Sequence, residues 1–172
     1  MTAFNRRSLL GIQPAGHTAP VRLPWTLSEA AFIDGCSRCR DCLPVCPTGI
    51  IQRGDGGFPV LDFRHGDCTF CGACVDACHE PLFQARSEKP FAHVMQIGGN
   101  CLPKQGIECR SCGESCEVQA IRFQFNARRL AEPALDAELC NGCGACVAIC
   151  PADAIGLLDF TPTERSTSAV LT

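Results

Sequence analysis

Sixteen cysteines in a chain of 172 residues fall into four groups of four, and the spacing inside each group limits what the chain can fold around. Three groups repeat one pattern, Cys-x2-Cys-x2-Cys-x3-Cys: Cys36, Cys39, Cys42 and Cys46; Cys68, Cys71, Cys74 and Cys78; Cys140, Cys143, Cys146 and Cys150. The remaining group, Cys101, Cys109, Cys112 and Cys116, has the same pattern with its first step stretched, so no cysteine is left over. Three thiols two residues apart wrap one tight loop and set their sulfurs around a common centre. Disulfides instead join cysteines that a fold has already brought together. A four-thiolate zinc site pairs two Cys-x2-Cys knuckles rather than three close thiols and a fourth. The spacing is the one that holds a [4Fe-4S] cube, in which each of four irons takes one thiolate.

The rest of the composition leaves such clusters to act as the core. Aromatic residues make up 6% of the chain, with one Trp and no Tyr. A metal whose thiolate site does not exist in the unfolded chain supplies folding free energy, so the metal-free protein is expected to be largely unfolded. Net charge is −3, which offers no basic surplus for nucleic acid. No run approaches the roughly 18 apolar residues of a membrane span, so no membrane insertion is expected. Asn5-Arg6-Arg7-Ser8-Leu9-Leu10 looks like part of a twin-arginine export signal. The segment that follows, Gly11 to Thr18, is not apolar enough for the h-region such a signal requires, and a cytoplasmic protein is expected.

The groups begin at Cys36, Cys68, Cys101 and Cys140, an internal repeat of about 33 residues once the stretched motif is allowed for. Each unit reads alike: an extended piece, the cysteine loop, a short helix carrying the third cysteine, and a returning strand. In the fourth unit Pro133 to Leu139 is the extended piece. Gly144 to Ile149 can form about one and a half helical turns, which Pro151 ends, and Ala154 to Leu158 returns as a strand. In the third, Ile121, Phe123 and Phe125 alternate with polar residues, the period of a half-buried strand. Residues 50–53 and 58–61 flank Gly54-Asp55-Gly56-Gly57 as a hairpin. Thr26-Leu27-Ser28-Glu29 reads as a capping box opening a helix that ends at Gly35, with Pro24 and Trp25 seating it. The expected fold is α+β, with tandem bacterial-type ferredoxin (βαβ)2 modules built around [4Fe-4S] clusters. The expected divisions are an N-terminal segment 1–35, a first module 36–84, a linker 85–100, a second module 101–160 and a tail 161–172.

In two-cluster ferredoxins the fourth cysteine of each motif ligates the other cluster. Pairing neighbouring motifs would group Cys36, Cys39, Cys42 with Cys78, and Cys68, Cys71, Cys74 with Cys46. The second module would group Cys101, Cys109, Cys112 with Cys150, and Cys140, Cys143, Cys146 with Cys116. Pairing the first motif with the fourth and the second with the third is also topologically open. Four clusters are expected, the third depending on whether Cys101 reaches its cube across the long loop 102–108. Gly72, Gly142 and Gly144 ease the approach of backbone N–H groups to the cluster sulfides. Cys46 and Cys150 precede proline whereas Cys78 precedes His79 and Cys116 precedes Glu117, which makes His79 a candidate for tuning a potential. No catalytic constellation accompanies the cysteines: His17, His65 and His93 stand apart from any paired acid or nucleophile. The chain is not expected to be an enzyme but to carry single electrons. A chaperone-like docking protein with structural clusters, or an electron-transfer subunit of another oxidoreductase complex, are the alternatives.

Beyond the motifs, the chain resembles the ferredoxin-type NapF proteins of the periplasmic nitrate reductase system. The likeness runs through Arg6-Arg7, Pro24-Trp25, Ile51-Gln52-Arg53-Gly54 and Gly56-Gly57. It continues through Cys101-Leu102, Cys109-Arg110, Cys112, Cys116, Ala120-Ile121, Phe123 and the segment Leu139 to Cys146. The resemblance implies a cytoplasmic iron–sulfur accessory protein. It would contact the molybdenum-containing catalytic subunit of periplasmic nitrate reductase before export and support its maturation with electrons from an unidentified donor.

Overall fold

The computed structural model describes residues 20–126 and 129–159; Arg6, Arg7, His17 and the 161–172 tail lie outside the described residues. Short elements alternate with cysteine loops: α1 (Glu29–Gly35), β1 (Ile51–Arg53), β2 (Pro59–Leu61), α2 (Ala73–Asp76), β3 (His93–Ile97), α3 (Ser111–Glu114), β4 (Ile121–Phe125), β5 (Ala131–Leu135), α4 (Ala145–Ala148) and β6 (Ile155–Asp159). Among the described residues they form three two-stranded antiparallel sheets, β1 with β2, β3 with β6 and β4 with β5.

Between residues 93 and 159 the chain runs strand, cysteine loop, helix, strand, then repeats that order. The outer strands β3 and β6 pair in the register Val94 to Leu158, and the inner strands form a hairpin in the register Phe123 to Pro133. Residues 93–97 belong to the stretch expected to be a linker. They form a strand because His93, Val94 and Met95 are buried and the segment pairs with β6 along its whole length. The first half follows the same order in reduced form. The hairpin β1 and β2 matches its expected position, with Ile51 opposite Leu61 across a 3-10 turn at Asp55–Gly57. In place of an outer strand pair there is a single bridge between Thr26 and Phe83.

α1 ends at Gly35 as its sequence implies, but its cap is Ser28, whose Oγ accepts the Ala31 N–H at 3.2 Å. Thr26 is drawn away by the bridge to Phe83 and donates its hydroxyl to the Leu23 carbonyl. Glu29 does not close a capping box, because Arg22 holds its carboxylate in a two-pronged contact at 2.8 and 2.6 Å. That pairing holds the Glu29 carboxyl below the usual carboxylate range despite the opposing effect of burial. The same guanidinium lies 5.0 Å from the centre of the buried Phe32 ring and so pins α1 from two sides.

The first cysteine loop departs from the common pattern, since residues 41–45 form turns rather than a helix. Pro44 has no N–H to donate and cannot sit in a helix interior. In β4 only part of the expected alternation faces inward: Ile121 is buried, while Phe125 at the far end is 75% exposed.

Trp25 ties the first half together. It is buried, its backbone N–H donates to Pro90 O at 2.7 Å and its indole Nε1–H to Glu88 O at 3.1 Å, and its ring meets Phe70 edge-on. Truncating a buried Trp removes a large apolar body and leaves a cavity, so Trp25→Ala is expected to destabilise the iron-loaded protein by about 3–5 kcal/mol. Thermal unfolding under anaerobic conditions measures this as a lowered midpoint.

Candidate metal centres

All sixteen cysteines are free thiols. Cys68, Cys74, Cys101, Cys112, Cys140 and Cys146 are buried and belong to the apolar interior, whereas Cys39 and Cys71 are exposed. The third cysteine of motifs two, three and four rides on its short helix, so Cys74, Cys112 and Cys146 point inward from α2, α3 and α4. Among the described residues no three Cys, His, Asp or Glu side chains converge closely enough to share a single ion.

The structure brings cysteines together across neighbouring motifs. One apolar pocket is lined by Cys46, Cys68, Cys71 and Cys74 with Ile50, Ile51 and Leu61. Another is lined by Cys101, Cys109, Cys112 and Cys150 with Ile97, Pro103 and Pro133. Each takes three sulfurs from one motif and the fourth from its neighbour. Among the remaining cysteines, Cys39, Cys36 and Cys78 add to the rise of the Cys42 thiol, and Cys116 and Cys140 to that of Cys143. The two pockets thus bring motif one beside motif two and motif three beside motif four. Cys101, despite its long loop, lines the same pocket as Cys109, Cys112 and Cys150.

Burial pushes the inward thiols up, to about 12 for Cys74 and Cys146 and about 11 for Cys42, Cys68 and Cys112, and neighbouring sulfurs add to the rise. Cys46 is moved down: burial opposes it, but the Thr48 hydroxyl and the backbone N–H groups of Ile50, Thr48 and Gly49 outweigh burial. A soft metal core would replace those protons, since only thiolates ligate. The donor set fits an iron–sulfur cube: four sulfurs, apolar walls, and loops turned through left-handed glycines Gly72, Gly142 and Gly144 at φ of 75°, 76° and 84°.

Motifs two and four also meet directly. The Cys68 N–H donates to Cys143 O at 2.9 Å. Phe63 lies so close to Gly144 that a Cβ there would stand 2.1 Å from the ring. His93, buried and stacked on Phe91 with centroids 4.6 Å apart, places Nε2 3.1 Å from Gly142 O. Phe63 and His93 are not among the expected site residues, because the motif they touch, motif four, lies far from both in the chain. A repeat spacing alone carries no signal for them. His79, singled out for tuning, is exposed, and its Nε2 lies 3.9 Å from Asp41 Oδ2.

No helix among the described residues is long and apolar enough to cross a membrane. Residues 35–82 and 107–154 each match the 4Fe-4S dicluster domain, the second match beginning after Cys101. The chain is 44% identical over 135 residues to the ferredoxin-type protein NapF of Escherichia coli (strain K12), spanning 78% of this chain and 82% of that protein. It is 45% identical over 144 residues to the ferredoxin-type protein NapF of Haemophilus influenzae, spanning 84% and 82%. A more distant relative, the ferredoxin-type protein NapG of Haemophilus influenzae, is 27% identical over 168 residues, spanning 83% of this chain and 60% of that protein. Paired dicluster domains, with likeness to NapF over about four-fifths of both chains, place this chain in the NapF family of ferredoxin-type iron–sulfur proteins.

Proposed function

We propose that this chain is a cytoplasmic electron-transfer protein with two (βαβ)2 modules, and that it supports maturation of the molybdenum-containing catalytic subunit of periplasmic nitrate reductase before export. Cys36, Cys39, Cys42 and Cys78 would hold one [4Fe-4S] cube, and Cys46, Cys68, Cys71 and Cys74 a second. Cys116, Cys140, Cys143 and Cys146 would hold a third, and Cys101, Cys109, Cys112 and Cys150 a fourth. When bound, such cubes supply one-electron chemistry. The observation that carries the reading is the contact between modules. The Cys68 N–H donates to Cys143 O at 2.9 Å, which sets motif two of the first module against motif four of the second, and within the second module α3 packs on α4. The second and third of these sets would thus adjoin across the module junction, an arrangement that suits a relay better than a scaffold.

The test is to co-purify a tagged form with the catalytic subunit from cytosol, then substitute Cys143 or Cys146. The expected result is a transient complex, and a subunit that is present but inactive in the variants. Activity that survives when the cluster is gone favours the docking role, and failure to bind any nitrate reductase subunit rejects the pathway.

The long loop before Cys109 yields its own prediction. Cys101→Ser is expected to lose its cluster, or convert it to a three-iron form, while the other three sets stay loaded. Counting paramagnetic clusters before and after brief air exposure checks this, and a spectrum identical to wild type would show that Cys101 is not a ligand.

A further inference from the structure

At three of the four motif ends the chain makes the same turn. The third residue past the last cysteine has a positive φ: Gly49 at 66°, Gln119 at 51° and Asp153 at 46°. That turn aims the next backbone N–H back at the sulfur. Ala120 N–H donates to Cys116 Sγ and Ala154 N–H to Cys150 Sγ, each at 3.2 Å. The second motif cannot repeat this turn, because the corresponding residue is Pro81 and its ring fixes φ near −65°. The Leu82 N–H that should reach Cys78 donates instead to Glu80 O at 2.9 Å. The Leu82 carbonyl accepts from Leu27, which holds this alternative path against the N-terminal segment.

We propose that Pro81 is a tuning residue, which withholds an N–H···S hydrogen bond from Cys78 and so keeps the cluster held by Cys36, Cys39, Cys42 and Cys78 at a lower reduction potential than it would otherwise have. Hydrogen bonds to the ligand sulfurs stabilise the more negative, reduced cluster, and their loss lowers the potential. The sets that include Cys116 and Cys150 each receive such a bond at the fourth cysteine, whereas at Cys78 the Glu80 N–H bears on the sulfur and the Leu82 N–H does not; that set carries the exposed Cys39. An electron delivered there by a low-potential one-electron donor runs downhill to a set that holds the bond, the donor losing one electron and the cluster gaining one, with no proton or covalent bond exchanged. The inference rests on the four-cluster reading but not on the nitrate reductase assignment.

The experiment is a redox titration of the full-length, iron-loaded protein with titanium(III) citrate, followed by electron paramagnetic resonance. The signal of the first set is identified by its loss in Cys39→Ser. In Pro81→Gly, position 81 can turn as Gly49 does, and the potential of that set alone is expected to rise. The converse variant is Gln119→Pro at an exposed position, which should lower the potential of the set containing Cys116. A Pro81→Gly protein in which all four potentials stay in place, or in which the shift falls on a different set, overturns the inference. If Pro81→Gly fails to load iron, Gln119→Pro decides: an unmoved potential there overturns it equally. Wild-type protein without iron would overturn the cluster reading as well, whereas four loaded sets with no shift overturn this inference alone.

Discussion

Iron removed from the purified protein under anaerobic chelation is expected to take the fold with it. The helices are four to seven residues long and the strands three to five. Isolated elements of this length are not stable in water. Six buried cysteines belong to the interior, so the core is built around what those sulfurs bind. Circular dichroism before and after chelation should show loss of nearly all regular structure, and a chelated chain with its native spectrum would contradict the account. The direction of the pH dependence follows from the thiols. Cys74 and Cys146, pushed up to about 12, are more readily protonated in the folded chain than in the unfolded one. Any residual fold of the iron-free chain is therefore most stable below the ordinary thiol value of about 8.5 and is lost as pH rises toward 12. Iron loading runs the opposite way, because ligation needs thiolates and releases protons, so acid should bleach the loaded protein. Cluster absorbance followed from about pH 8 downward, and ellipticity of the iron-free chain followed upward, check the two signs.

The second large effect concerns the junction between modules. Gly144 has φ of 84°, and a Cβ there would meet Phe63 Cδ1 at 2.1 Å. Gly144→Val combines a left-handed backbone cost of about 1–2 kcal/mol with overpacking of about 1–3 kcal/mol. A loss of that size is a large share of a domain stability of about 5–15 kcal/mol. The variant is expected to lose the cluster bound through Cys143 and Cys146 first, seen as a loss of about one cube's worth of iron. Phe63→Ala in the same chain should restore part of it, since the steric component depends on that ring and neighbouring substitutions couple. Gly156→Ala is the control: nothing lies within 4 Å of its would-be Cβ and it should behave as wild type. If Gly144→Val loads and unfolds as wild type does, the modules do not meet at Phe63.

Spacing made the cysteine groups, the first hairpin and the end of α1 at Gly35 legible, because each depends on residues close in the chain. Of the outer strand pair, β6 is legible from its own residues but its distant partner is not. The strand β3 reads as linker because His93-Val94-Met95-Gln96-Ile97 has no alternation and its partner β6 lies at the far end of the module. The helix expected after the third cysteine is lacking in the first unit through one residue, Pro44, and the fourth-cysteine turn is altered in the second through one residue, Pro81. Both are visible in the sequence, yet their weight emerges only when the four units are laid on one geometry. Spacing leaves the pairing of motifs undetermined; it becomes readable in three dimensions, where Cys46 lies beside Cys68, Cys71 and Cys74, and Cys150 beside Cys101, Cys109 and Cys112.

The central claim is that sixteen cysteines form four complete ligand sets, and chemical analysis of iron and acid-labile sulfide in anaerobically purified protein tests it most directly. Four irons for each set predict about sixteen irons and about as many sulfides per chain. About twelve would remove the set that contains Cys101, and stoichiometric zinc with no sulfide would contradict the account altogether.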